Sequence, residues 1–99
     1  MNEDITCSQV KARLESGVTF HFIDVREEWE HEEQNIGATL IPLGELPTRL
    51  SEIEHLKDEE IVVHCKSGGR SSQARKYLMS QGFTNVRNMV GGITEYMTL

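Results

Sequence analysis

Cysteine is scarce in this chain, and its scarcity excludes several kinds of site. Only Cys7 and Cys65 are cysteines among 99 residues. No Cys-x-x-Cys pair occurs and no histidine stands at metal-ligand spacing from either cysteine, so we expect no zinc site and no metal. A disulfide between the two remains open from sequence, although it would be unusual in a reducing cytoplasm. Cys7 lies just before a short predicted helix, and we interpret it as a packing residue.

Long apolar runs and positive charge are lacking too. No segment approaches the roughly 20 apolar residues that span a bilayer, so we expect no membrane partner. Lysine and arginine number 10 against 16 acidic residues, and the net charge of −6 argues against nucleic acid, which needs a basic face. Acidic clusters at residues 27–33 and 52–60 are interpreted as solvated helix faces. The acidic N-terminus lacks the order of a signal peptide, which favours a cytoplasmic location.

One short segment carries most of the chemical information: Cys65-Lys66-Ser67-Gly68-Gly69-Arg70-Ser71. It follows an apolar run that predicts a strand, and it precedes a helical pattern that we place from a cap at Ser71 or Ser72 to about Gln81, before Gly82. Curled backbone amides, the positive end of a helix and a nearby cation all lower the pKa of a thiol. The two glycines permit the positive φ that such a curl requires. The segment therefore predicts an anion pocket around a reactive thiolate at Cys65.

Strand and helix patterns alternate along the chain. The predicted strands are residues 18–25, 38–41, 61–64 and 85–89. The predicted helices begin near Ser8, near Glu27, near Ser71 and after Gly91-Gly92, and a helical stripe through residues 43–53 is expected to break near Pro47. This alternation predicts an α/β fold with a mostly parallel sheet and helices on both faces. The length suits one modest core, so we predict a single domain over residues 1–99.

Two predicted strands end in residues that suggest a shared crevice. Ligands of such sheets bind at the carboxyl ends of the strands, where Asp24 and Arg26 end one strand and Cys65 ends another. Two interpretations of Asp24 stay open: it orients a loop amide or pairs with Arg70, or it forms a salt bridge that only braces the loop. Arg26 would add positive potential to the crevice.

His64 precedes the cysteine but is not expected to act as its base. Adjacent residues of a strand point to opposite faces, so the imidazole should be directed away from the thiol, as a satisfied histidine of the core or surface. We interpret Trp29 and Tyr96 as lid or core residues. The remaining histidines have no spacing that suggests a role: His21, His31 and His55.

An ordered set of motifs resembles the single-domain rhodanese sulfurtransferases. The motifs are Asp24-Val25-Arg26-Glu27-Glu28-Trp29-Glu30, Ile36-Gly37-Ala38 with Ile41-Pro42-Leu43, Val63-His64 with the cysteine segment, Gly82-Phe83-x-Asn85-Val86, and Gly91-Gly92-Ile93. The resemblance covers residues 18 to 96 and implies a five-stranded parallel sheet flanked by helices. It further implies that Cys65 takes a sulfane sulfur from a donor such as thiosulfate and passes it, as a persulfide, to cyanide, a thiol or a protein acceptor. This chemistry requires no cofactor.

The resemblance also assigns roles within the segment. The amides from Lys66 to Ser71 would stabilise charge on the terminal sulfur, and the side chains of Lys66 and Arg70 would attract an anionic donor. For Lys66 the alternative is a solvent-facing side chain that affects only the choice of donor. The chain departs from the family in having Gln34 and Asn35 where a histidine is often found. It also has Tyr96 where a tryptophan is common, and both departures concern local packing.

Two alternatives to this enzyme remain. Related cell-cycle phosphatases and arsenate reductases share a Cys-to-Arg loop, but theirs is one residue longer than the four-residue spacing between Cys65 and Arg70, which suits sulfur better than a phosphoryl group. The other alternative is a persulfide carrier or regulatory binding module whose partner supplies specificity. The acidic surface fits docking to a basic partner, and it fits plain solubility equally well.

Overall fold

The sheet contains five strands, all parallel, within the part of the chain that the structure, a computed structural model, describes (residues 3–99). The strands are β1 (Asp4–Ile5), β2 (His21–Asp24), β3 (Thr39–Leu40), β4 (Glu60–His64) and β5 (Asn85–Met89). They lie in the order β1-β5-β4-β2-β3, and every neighbouring pair is parallel. The predicted α/β fold with a parallel sheet is confirmed.

Helices and short 3₁₀ turns connect the strands. The helices are α1 (Cys7–Ser16), α2 (Glu28–Glu33), α3 (Leu46–Arg49), α4 (Gly69–Ser80) and α5 (Gly92–Tyr96). The 3₁₀ turns are Leu43–Glu45, Leu50–Glu52 and Glu54–Leu56. The stripe through residues 43–53 is broken into short pieces as predicted, with Pro47 in the first turn of α3, where its missing N–H costs no hydrogen bond. No helix among residues 3–99 is both long and apolar enough to cross a membrane.

Strand β4 separates the two halves of the core. Ile61, Val63 and Cys65 pack in one cluster with α4, whereas Val62 packs in the other cluster with α1. The strand is buried on both faces, as central strands of parallel sheets are, and its side chains alternate between the clusters. Cys65 and His64 therefore lie on opposite sides of the sheet, as the strand periodicity predicts.

Several element boundaries differ from the prediction. Strand β2 is shorter than residues 18–25, and β1 was not among the strands predicted from the pattern. Helix α1 begins at Cys7 rather than after Ser8, because Thr6 forms a capping box. The Thr6 hydroxyl accepts a hydrogen bond from the Gln9 amide (3.1 Å), and the Gln9 side chain accepts one from the Thr6 amide (2.9 Å).

Candidate active site

The cysteine segment forms a tight loop between β4 and α4. Cys65 is the first residue after β4, and Gly68, with φ of 111°, is the N-cap of α4. The predicted cap at Ser71 or Ser72 is wrong, because the curl of the loop runs straight into the helix and both serines lie in its first turn. The Ser72 amide already donates to the Gly68 carbonyl oxygen at 3.0 Å.

The sulfur of Cys65 lies inside this loop. Only 1% of the residue is exposed, and the sulfur accepts a hydrogen bond from the Gly68 amide at 3.0 Å. The Ser71 hydroxyl lies 3.3 Å from the sulfur. Burial raises the pKa of the Cys65 thiol, but hydrogen bonds from the Ser71 side chain and from the amides of Ser71, Gly68 and Ser67 outweigh it and bring the pKa below the ordinary value. The loop thus favours a thiolate.

Asn88 of β5 is a contact of this loop that sequence reasoning missed. The Ser71 hydroxyl has one proton, and its shortest contact is the side-chain oxygen of Asn88 at 2.5 Å. The Asn88 amide group also lies 3.4 Å from the Gly68 carbonyl oxygen, so one side chain contacts the middle of the loop and the first turn of α4. No sequence signal marks Asn88, because β5 becomes a neighbour of the loop only through the order of the strands.

Replacing Ser71 by alanine is expected to raise the pKa of the Cys65 thiol. The change removes the hydroxyl that lies 3.3 Å from the sulfur, whose single proton can turn from Asn88 to the thiolate, while the amides remain. At pH 7 the rate of Cys65 alkylation by iodoacetamide should fall roughly three- to tenfold and recover at higher pH. Peptide mass spectrometry resolves Cys65 from Cys7. Ser72→Ala is the matched control, and an equal loss there would contradict the role of the Ser71 hydroxyl.

Asp24 and Arg26 form a buried ion pair at the end of β2. The guanidinium donates to both carboxylate oxygens, with Nη2 2.9 Å from Oδ2, and Asp24 also accepts from the Arg26 amide at 2.9 Å. The His31 ring lies 2.9 Å from the same carboxylate, and Arg26 donates to the Gln34 carbonyl oxygen at 2.6 Å. Burial raises the pKa of Asp24, and the hydrogen bonds from Arg26 and His31 outweigh it and lower that pKa.

The pair therefore braces α2 against the sheet. Of the two interpretations of Asp24, pairing with Arg70 is wrong, and the brace that the structure shows holds α2 rather than the loop. Because the charge of Arg26 is compensated by Asp24, Arg26 supplies less positive potential than expected. His31 was assigned no role from the sequence, since its contact with Asp24 requires the turn between β2 and α2 to bring them together.

Arg70 pairs instead with Glu30 of α2. Its two terminal nitrogens lie 2.6 and 3.0 Å from the two carboxylate oxygens, and the Glu30 side chain is 10% exposed. The hydrogen bond from Arg70 is the main cause that lowers the pKa of Glu30 to about 2. The interpretation of residues 27–33 as a solvated acidic face is thus wrong for Glu30, although Glu27, Glu28, Glu32 and Glu33 are exposed.

His64 is buried on the far side of the sheet from the thiol. Its ring packs against Phe22, with centroids 5.1 Å apart, and its Nδ1 lies 3.4 Å from the Cys65 carbonyl oxygen. Nε2 is buried 3.9 Å from Asp24 and has no hydrogen-bond partner among residues 3–99, so the expectation of a satisfied histidine is wrong for this nitrogen. Burial lowers the pKa of His64, which favours the neutral ring.

Cys7 is a packing residue, as its position suggests. It is fully buried, and its thiol lies within 3.3 Å of the Val90 and 3.4 Å of the Gly92 carbonyl oxygens. Burial raises the pKa of Cys7 to about 11, so this thiol stays protonated. Both cysteines are free thiols.

A cleft of about 560 Å³ lies beside the loop, between α2 and α5. Lys66, the residue after the cysteine, lines the cleft, and so does Trp29, which is 63% exposed. Trp29 is therefore not a core residue. Within residues 3–99, no three His, Cys, Asp or Glu side chains are arranged to hold a metal ion.

Known proteins are similar to this chain in sequence and in fold. The family model described as a rhodanese-like domain matches residues 6–99. A sulfurtransferase of Allochromatium vinosum is 37% identical over 94 residues, which cover 94% of this chain and 86% of that protein. The putative sulfur carrier protein YrkF of Bacillus subtilis is 35% identical over 94 residues, 94% of this chain but only 50% of that protein.

A solved structure agrees with these sequence matches. The human single-domain sulfurtransferase TSTD1 superposes with a TM-score of 0.83 at 25% identity, covering 99% of this chain and 97% of that one. The family resemblance drawn from the motifs is confirmed by the matched residues, and relatives named sulfurtransferase or sulfur carrier support sulfur transfer in general. The chain belongs to the rhodanese-like domain family.

Proposed function

We propose that this protein is a sulfurtransferase that carries a sulfane sulfur as a persulfide on Cys65. The donor is a small anionic compound such as thiosulfate, and the acceptor is cyanide in an assay or a thiol of a small molecule or protein. The observation that carries the proposal is the Cys65 sulfur itself, held 3.0 Å from the Gly68 amide at the end of a central parallel strand. Ligands of such sheets bind at this end of the strands.

The reaction has two displacement steps. The Cys65 thiolate attacks the outer sulfur of thiosulfate, the S–S bond breaks, and sulfite leaves with the electron pair. An acceptor nucleophile then attacks the outer sulfur of the persulfide and releases the Cys65 thiolate. Cyanide becomes thiocyanate in this step, and a thiolate becomes a persulfide. No cofactor or metal takes part in either displacement.

The loop supplies what these steps need. The amides of Ser67, Gly68 and Ser71 act on the Cys65 sulfur. The amides from Lys66 to Ser71, Gly69 among them, would stabilise the negative charge that moves onto the terminal sulfur, because fixed dipoles do so without reorganising. Because the same hydrogen bonds lower the pKa of the thiol, no histidine base is required. Lys66 lines the adjoining cleft and attracts the anionic donor.

Intact-mass measurement tests the persulfide directly. After incubation with thiosulfate and removal of excess donor, the wild-type protein is expected to gain one sulfur atom. The Cys7→Ser variant should gain the same mass, because that buried thiol stays protonated. Loss of the added mass on treatment with cyanide or dithiothreitol identifies it as sulfane sulfur. If the wild type gains no sulfur from any sulfane donor, the proposal is wrong.

A persulfide carrier is the second candidate, because one relative is named a putative sulfur carrier protein. A carrier or regulatory binding module would load once without turning over thiosulfate and cyanide, whereas an enzyme turns over repeatedly. The phosphatase alternative is disfavoured by the four-residue spacing between Cys65 and Arg70. Phosphate-ester hydrolysis above that of a Cys65→Ser control would reverse this preference.

A further inference from the structure

The guanidinium of Arg70 is already occupied by a carboxylate of its own chain. Glu30 contacts both terminal nitrogens, at 2.6 and 3.0 Å. The Glu30 carboxylate is itself held in place, because it also accepts a hydrogen bond from the Glu27 amide at 2.9 Å in the first turn of α2. With a pKa of about 2, Glu30 is ionised at every pH at which the thiol reacts. The positive charge of Arg70 is thus compensated within the chain.

Most of the other positive charge around the loop is also compensated by carboxylates of the chain. Arg26 is neutralised by Asp24, with 2.9 Å between Nη2 and Oδ2. Lys66 is the one cation of this region for which residues 3–99 provide no ion pair. It lines the cleft together with Glu30 and Glu33. Because both arginines are paired, they add little net positive charge at the entrance to the loop.

This charge balance bears on which sulfur donor the site accepts, and the inference rests on the proposed function. We propose that Glu30 is a positioning residue that sets donor selectivity: by holding and neutralising Arg70 it favours donors with a single negative charge over the dianion thiosulfate. Suitable donors are thiosulfonates, R–SO₂–S⁻, and persulfides, R–S–S⁻. The attraction that an uncompensated Arg70 would exert grows with each negative charge on the donor, so neutralising Arg70 weakens the binding of a dianion more than that of a monoanion.

The chemistry is the same for either class of donor. With a thiosulfonate, the Cys65 thiolate attacks the outer sulfur, the S–S bond breaks, and the sulfinate R–SO₂⁻ leaves with the electron pair. With thiosulfate, the leaving group is sulfite, SO₃²⁻. In both cases Cys65 becomes a persulfide anion and no proton or external oxidant is needed. Methanethiosulfonate and thiosulfate therefore form a matched pair of probes that differ mainly by one charge.

The test compares kcat/KM for thiosulfate with kcat/KM for methanethiosulfonate, using cyanide as acceptor. Glu30→Gln keeps the shape of the side chain and its acceptor oxygen but removes the charge. We expect kcat/KM for thiosulfate, divided by kcat/KM for methanethiosulfonate, to rise by about fivefold in Glu30→Gln at low salt. The increase should shrink in 0.5 M salt, where the Debye length is about 4 Å. A ratio measured on one preparation is independent of the folded fraction, so partial unfolding does not imitate this result.

Glu33→Gln is the matched control. Glu33 lies on the same helix, lines the same cleft and is exposed, and the structure gives it no ion pair within residues 3–99. In Glu33→Gln the ratio of the two kcat/KM values should change by less than about twofold, because solvent screens an exposed carboxylate. An unchanged ratio in Glu30→Gln, or an equal change in Glu33→Gln, would overturn the role of Glu30. Failure of the wild type to form a persulfide with either probe would instead overturn the proposed function.

Discussion

The Cys65→Ser variant is expected to lose sulfur transfer from thiosulfate to cyanide by a factor on the order of 10³ or more. A serine hydroxyl fits the space and can keep the contacts with the Gly68 amide and the Ser71 hydroxyl, which are 3.0 and 3.3 Å from the sulfur. It does not ionise near neutral pH, and it cannot form a persulfide. The loss should therefore appear in the rate of thiocyanate formation while the melting temperature stays close to that of the wild type.

Cys7→Ser is the matched control for this experiment. It makes the same atomic change at the other cysteine, and the new hydroxyl can donate to the Val90 or Gly92 carbonyl oxygen that the thiol now contacts. Because Cys7 lies on the opposite side of the sheet, in the cluster that contains α1, turnover should stay within about twofold. Retained turnover in Cys65→Ser, or its loss in a folded Cys7→Ser protein, would contradict the assignment of the reactive thiol.

The parts of the site that the sequence predicts are those that are continuous along the chain. The loop from Cys65 to Arg70 needs only a strand before it, glycines within it and a helix after it, all of which are local signals. The residues that contact this loop are not predicted by local signals. Glu30 and Asn88 reach the loop from α2 and β5 across long sequence separations, and no local pattern indicates them. Pairing of Asp24 with Arg70, one of the alternatives that the sequence left open, is wrong for this reason.

The strands also differ in how far the local sequence predicts them. Strand β5 was predicted with its observed bounds, Asn85–Met89, and it lies between Gly82 and Gly91-Gly92. Strand β1 has only two residues, Asp4 and Ile5, and its strand geometry comes from pairing with Asn88 and Met89 near the other end of the chain. A two-residue strand is too short to show a hydrophobic periodicity, so only its tertiary pairing defines it.

Gly92 is the position where a single methyl group should do the most damage to the fold. It has φ of 62°, and a Cβ there would overlap the carbonyl oxygen of Lys66 and lie 2.7 Å from that of Cys65. Both atoms belong to the backbone of the loop, which has little freedom to move. The first amides of α5 bind these carbonyls, Ile93 to Cys65 at 2.9 Å and Thr94 to Lys66 at 3.0 Å. An alanine would push α5 away from the loop and break both hydrogen bonds.

We therefore expect Gly92→Ala to lower the free energy of unfolding by about 3 kcal/mol or more and the melting temperature by roughly 15 °C. Substitutions at two other glycines separate the conformational cost of a positive φ from the steric clash of the added methyl group. Gly17→Ala has a similar φ of 76° but open space around the new methyl, so it should show only the conformational cost of about 1 kcal/mol. Gly44→Ala has neither strain nor a close neighbour and should be almost neutral. Chemical denaturation of all three measures the difference. A Gly92→Ala protein no less stable than Gly17→Ala would show that α5 is not packed against the backbone of the loop, and that the loop holds its shape without it.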